Sequence, residues 1–152
     1  MAITTHLDIV SAEREIFSGV VEMIVATSEL GEVGIIPGHA PMLTVLKPGE
    51  VRVTLPGGQQ DVYYISGGML EVQPYTVTVL ADEAERADSL DEAAAIAAKA
   101  RAEEVISNKG AEIDYSVAAA ELARAVAQIR AIQKVRKNIE KNREYLPVSV
   151  VV

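Results

Sequence analysis

Between residues 82 and 145 the chain has one glycine and no proline, whereas before residue 82 both recur every few residues. A chain broken that often can form only short strands and turns. An uninterrupted stretch of about sixty residues suits long helices. This contrast predicts an α+β chain of two domains: an N-terminal antiparallel β-sandwich over 1–86 and a C-terminal antiparallel two-helix hairpin over 87–144. A tail over 145–152, apolar and β-prone, is expected to be extended or disordered.

The first part should hold eight to ten short strands. Ile3 to Val10, Glu15 to Phe17 and Val20 to Thr27 are rich in β-branched and apolar residues. Residues 50–55 alternate, placing Val51, Val53 and Leu55 on one face. Pro56, Gly57 and Gly58 then signal a hairpin into 61–65. Residues 69–72 and 76–80 form another pair around Gln73, Pro74 and Tyr75.

In the second part Ser89 and Glu92 have capping-box spacing, and Lys109 and Gly110 close the first helix. Asp114 or Ser116 should cap the second. Its apolar face is expected at Leu122, Val126, Ile129, Ile132, Val135 and Ile139, three or four residues apart. Alanine dominates 93–102. Alanines let helices approach closely but bury little area each, so at ~25 cal/mol per Å² the seam is weakly held and the hairpin can open.

Gly31 to Pro41 stands apart. Three glycines and two prolines fit neither a helix nor a long strand, so the stretch is expected to be a stiff loop with His39 near its tip. A surface contact or loop-ordering role suits His39 better than metal binding or catalysis, since no second His, Cys or carboxylate cluster accompanies it in sequence. His6 is expected to be structural. No phosphate loop is present, because Gly31-x-x-Gly34 lacks the following Lys and Ser/Thr.

No cysteine is present, which excludes disulfides and cysteine-ligated zinc. No apolar run approaches the roughly 18 residues of a membrane span, and the sequence opens on no signal peptide, so any membrane role is expected through a partner. Residues 1–87 carry 4 basic and 12 acidic side chains, while 88–152 carry 10 of each. Seven basic residues fall within 124–143 (Arg124, Arg130, Lys134, Arg136, Lys137, Lys141 and Arg143) against Glu140 alone. Such a run is a solvated helix face or a dock for an acidic protein surface. Nucleic acid is disfavoured by the acidic remainder and the lack of interleaved aromatics.

Several stretches together resemble the epsilon subunit of bacterial F-type ATP synthases. They are residues 6–13, Phe17 to Gly19, Gly31 to Pro41, Ile65 to Gly68, Leu70 to Pro74, Val77 to Asp82 and Ala120 to Ala123. The resemblance implies a non-catalytic rotor subunit of the central stalk, peripheral on the cytoplasmic face of the bacterial plasma membrane. It would bind the gamma subunit, with Ser11 near that contact. A loop carrying Glu32, Gly34 and His39 would face the ring of c subunits. The hairpin would switch between a folded state and an extended one that inhibits ATP hydrolysis. In the extended state Arg124, Arg130, Lys134, Arg136 and Lys137 would meet the alpha and beta subunits. Alternatives are a coupling subunit with little inhibition, or a nucleotide sensor. Some members bind ATP through Ile/Leu-Asp-x-x-Arg-Ala. Here Leu90 and Asp91 are followed by Ala94 in place of the arginine. Asp91, Arg101 and Arg124 remain as nucleotide contacts, and ATP binding is expected to be weak or absent. No cofactor or metal is expected.

Overall fold

The computed structural model describes residues 3–108 and 115–144, with side chains to 141. Nine strands come first: β1 Thr5–Ser11, β2 Glu15–Val21, β3 Met23–Ser28, β4 Gly31–Ile35, β5 Met42–Thr54, β6 Gln60–Ile65, β7 Gly68–Val72, β8 Thr76–Ala81 and β9 Ala84–Arg86. A 3-10 turn at Ala87–Ser89 leads to α1, Glu92–Ser107, and α2 follows at Tyr115–Glu144. The expected β-sandwich followed by a helical hairpin is what forms. The sandwich is not wholly antiparallel, because β1 lies parallel to β8.

One layer runs β2-β1-β8-β7 to the first half of β5. The other joins the second half of β5 to β3 and β4 on one side and to β6 and β9 on the other. Alternation buries one face of each strand. Leu7, Ile9, Leu70 and Val79 of the first layer meet Val51, Val53, Tyr63 and Ile65 of the second in an aliphatic core. Leu55 to Gln59 turn as expected, with Gly57 and Gly58 at positive φ and Leu55 N–H donating to Gln59 O (2.8 Å).

Sequence and structure part at four places. The alternating segment 50–55 is not a strand by itself: β5 begins at Met42, runs through Pro48 and Gly49, and serves both layers. Thr27 packs so close that a Cβ on Gly49 would lie 2.7 Å from its Cβ. The run Val20 to Thr27 divides at Glu22, whose N–H donates to Thr54 O, and β2 continues through Ser18 and Gly19. Asp91, not Ser89, caps α1: its carboxylate accepts from Ala94 N–H (3.1 Å), while the Ser89 hydroxyl donates to Asp88. Gly31 to Ile35 is an edge strand, so the expected loop shrinks to Ile36–Pro41. Alternation of Val33 and Ile35 toward the core outweighs the flanking glycines.

The hairpin lies on the β5–β6 face of the second layer. Ala95 and Ala102 of α1 and Ala118 and Ala125 of α2 are buried at seven-residue spacing. Ala127 and Ala131 pack on Val62, Tyr64 and Ala87, with Leu90 and Val135 beside them. The expected aliphatic face is only partly realised. Ile132 is buried, Leu122, Val126 and Ile129 are half-buried, and Ile139 is exposed. Close approach to a pleated sheet favours the small residue at each contact. The caps expected at Asp114 and the stop at Lys109 and Gly110 fall outside the described residues, as does the tail 145–152.

Candidate functional site

The residues singled out between Gly31 and Pro41 are not on one loop. Glu32 is the second residue of β4, beside the turn Ser28–Gly31 that the Ser28 hydroxyl closes by donating to Gly31 O (2.7 Å). His39 lies four residues past the other end of the strand. At about 3.3 Å per strand residue, Glu32 and His39 stand at opposite ends of β4. His39 Nδ1–H donates to Ala40 O (2.7 Å), and Gly38 N–H donates to Pro74 O (3.0 Å), tying this loop to the β7–β8 turn. Gly34 lies in β4, exposed.

Glu32 is one of three members of a charge cluster that the sequence reading missed. Arg52 on β5 lies 2.5 Å from Glu32 Oε1 and 2.6 Å from Glu50 Oε1. Burial alone would lower the guanidinium pKa, but the hydrogen bonds it donates to Glu50 and Glu32, with their charges, outweigh it and raise it. The alternation Glu50-x-Arg52 placed both on one face. Only the register Thr27↔Glu32 across the neighbouring hairpin brings in the third member.

Ser11 ends β1 and closes the turn to Arg14: its N–H donates to Arg14 O (2.9 Å) and its hydroxyl does the same. Beside it runs an apolar row that crosses four strands. Val45 pairs with Met69, Met69 with Leu80, and Leu80 with Val10. Val45 and Leu80 are exposed, as are Leu43 and Val20 on the same layer. The second layer is covered by α2, whereas this one has no cover from the chain's described residues. Next to the row, Asp8 accepts from Ser18 Oγ (2.6 Å) and His6 Nε2 (3.0 Å). The Ser18 hydrogen bond holds the Asp8 carboxyl below its usual range against a smaller opposing effect of burial.

The basic run of α2 does not form one face. Arg124 shares a cavity of about 360 Å³ with Arg101, Tyr64, Glu83, Glu121 and Gln128. Arg130 lines a different cavity on the other flank of the helix. Arg136 forks onto Glu92 of α1, and Lys137 is exposed. Lys134 is half-buried. Of the nucleotide contacts named from sequence, Arg101 and Arg124 meet but Asp91 does not join them, because its carboxylate is spent as the cap of α1. Ala94 is exposed on α1. Among the described residues no group of three His, Cys, Asp or Glu side chains could hold a metal ion.

Residues 4–87 match the family described as ATP synthase, Delta/Epsilon chain, beta-sandwich domain, and residues 88–133 match its long alpha-helix domain. The chain belongs to the ATP synthase delta/epsilon family. A curated ATP synthase epsilon chain of Legionella pneumophila (strain Corby) is 77% identical over 140 residues, covering 92% of this chain and 100% of that one. The epsilon chain of Nitrosococcus oceani is 61% identical over 139 residues, 91% of this chain and 99% of its own. A chain in the Euglena gracilis mitochondrial ATP synthase, in an OSCP/F1/c-ring assembly, superposes with a TM-score of 0.77 at 24% identity, over 86% of this chain and 82% of that one. That likeness concerns the fold alone. Epsilon chains are non-catalytic subunits of the ATP synthase complex, and this chain is one of them. No helix among its described residues is long and apolar enough to cross a membrane.

Proposed function

We propose that this epsilon chain is a rotor element of the central stalk, carrying rotation between the ring of c subunits and gamma. The observation that carries this reading is the apolar row Val45, Met69, Leu80 and Val10 beside Ser11, with Val45 and Leu80 exposed and Met69 and Val10 half-buried. An apolar row of this extent on an otherwise acidic domain is a protein contact. It is the gamma-binding face. Glu32, on the Ser28–Gly31 side, and His39, on the Pro74 side, then sit at different ends of the domain, so they serve different contacts. Glu32 suits the polar loops of the ring. The assembly sits on the cytoplasmic face of the bacterial plasma membrane and is held there by its partners.

The hairpin switches between the folded state seen here and an extended state that blocks hydrolysis by presenting Arg124, Arg130, Lys134, Arg136 and Lys137 to acidic surfaces of the alpha and beta subunits. The small alanine contacts and the surface ion pair to Glu92 support a modest energy gap between states. ATP does not hold the hairpin down in this chain. Asp91 is engaged in capping, Ala94 offers no guanidinium, and Glu83 and Glu121 stand beside Arg101 and Arg124 where phosphates would have to lie.

The reading is tested with gamma and the assembled enzyme. Leu80→Glu with Val45→Glu should abolish capture of gamma while leaving the circular dichroism spectrum unchanged. Retained capture would remove gamma from this face. Deleting 88–152 should raise ATP hydrolysis by the complete complex. An unchanged rate would favour a coupling subunit without inhibition.

A further inference from the structure

On the flank of α2 away from Arg101 and Arg124 lies a second cavity, about 620 Å³, between the helix and the β3–β5 face. That volume is in the range of small-molecule sites, roughly 300–1,000 Å³. Its walls are apolar: Leu122 and Val126 of α2 project beside it, with Ala123 and Pro48. Both large aliphatics stay half-buried, while the helix seats Ala127 and Ala131 on the sheet. The chain thus leaves an apolar slot between helix and sheet.

The charges around the slot decide what could enter. Glu32 and Glu50 line it, but Arg52 engages both. Lys47 and Arg130 also line it, and neither is paired with a carboxylate among the described residues. The charge left to offer a ligand is therefore cationic, while two carboxylates close by disfavour a doubly charged head such as a phosphate monoester.

We infer that this slot binds a single-chain, singly charged anionic amphiphile, a free long-chain carboxylate, with its alkyl chain along Leu122 and Val126 and its head at Lys47 or Arg130. One wall belongs to the sandwich and the other to α2, so the ligand has a site only while the hairpin is folded, and binding shifts the hairpin toward that state. Binding needs only the cavity. An effect on hydrolysis also needs the switching proposed above.

The test is titration of the full isolated chain with dodecanoate below its micelle concentration, followed by methyl NMR. Saturable shifts are expected at Leu122 and Val126. Affinity should fall at least tenfold in Lys47→Ala/Arg130→Ala and in Val126→Trp, which fills the slot, with unchanged amide spectra elsewhere as the control for folding. Dodecyltrimethylammonium should bind more weakly than dodecanoate, and phosphatidylglycerol vesicles added alone should cause no shifts at these methyls. Affinity unchanged in both variants, tighter binding of the cationic amphiphile, or shifts confined to Val45 and Leu80 on the other layer would each overturn the assignment. Shifts at Leu122 and Val126 caused by vesicles alone would assign a membrane surface instead and would equally overturn it.

Discussion

The guanidinium of Arg136, three-quarters of the way along α2, forks onto the carboxylate of Glu92 in the first turn of α1, with Nη1 3.0 Å from Oε1. Asn138 adds a hydrogen bond to Gln60 of the sandwich (3.1 Å). A residue proposed to dock on an acidic partner in the extended state is thus paired inside the folded one. Both side chains are partly exposed, so the pair contributes about 0.5 kcal/mol, enough to shift a two-state balance roughly twofold. Glu92→Gln should therefore increase inhibition of hydrolysis by up to that factor, whereas Arg136→Gln, which loses both contacts, should relieve it. Hydrolysis assays on complexes carrying each variant distinguish the two. Equal effects of the same sign would separate Arg136 from the switch.

Removing Arg52 should cost more than removing either of its partners. Arg52→Leu leaves Glu50 largely buried with neither oxygen paired, since Oε2 already has no hydrogen-bond partner. A destabilisation of about 2 kcal/mol is expected by urea unfolding. Glu32 is more exposed, and Glu32→Gln should cost less than about 1 kcal/mol. The mild variant is therefore usable for testing contact with the ring without unfolding the sandwich.

Gly68 is less replaceable than Gly57, although both hold positive φ. A Cβ at Gly68 would fall 2.0 Å from the backbone oxygen of Leu80, while none of the surrounding atoms comes within 4 Å at Gly57. Gly57→Ala should cost about 1–2 kcal/mol from backbone strain alone. Gly68→Ala should cost about 3 kcal/mol or more, since the β7–β8 pairing must move. Thermal unfolding of the two variants checks the order.

Alkaline pH should loosen the hairpin. Burial pushes the Tyr64 phenol above its ordinary value, with Gln128 partly opposing, and it lies beneath α2. A phenol whose folded pKa is raised contributes stability that is complete below the unfolded value of about 10 and is lost as pH rises through the folded one. Unfolding followed by circular dichroism should show stability declining above about pH 10. Tyr64→Phe should remove part of that decline, with Tyr63, raised for the same reason, supplying the rest. An identical alkaline profile in Tyr64→Phe would exclude this residue.

Local pattern made much of this molecule legible in advance. Val51, Val53 and the Pro56 to Gly58 turn formed as their alternation and φ requirements dictate, because those preferences act within a few residues. The failures share a cause. Asp91 took the cap from Ser89 because helix start depends on where the 3-10 turn places the chain. Gly31 to Ile35 became strand because β3 supplies its hydrogen bonds. Leu122 and Val126 lost the seam to alanines because the spacing between sheet and helix is a tertiary quantity. The Glu32–Arg52–Glu50 cluster and the apolar row across four strands were invisible for the same reason: both are made by register between distant segments.

Strand β5 has a mechanical consequence. Its 13 residues form one strand, with 42–46 paired to β7 in one layer and 49–54 paired to β6 in the other, the chain running on through Lys47 and Pro48 between them. Two sheets held only by side-chain packing can slip past one another under load. Here the same backbone is stitched through both, so a sideways push on the Leu80 face reaches the Glu32 edge through covalent bonds and hydrogen-bond ladders. The domain should behave as a stiff gear tooth that loses no angle between its input and output faces, leaving the alanine seam of the hairpin as its compliant joint.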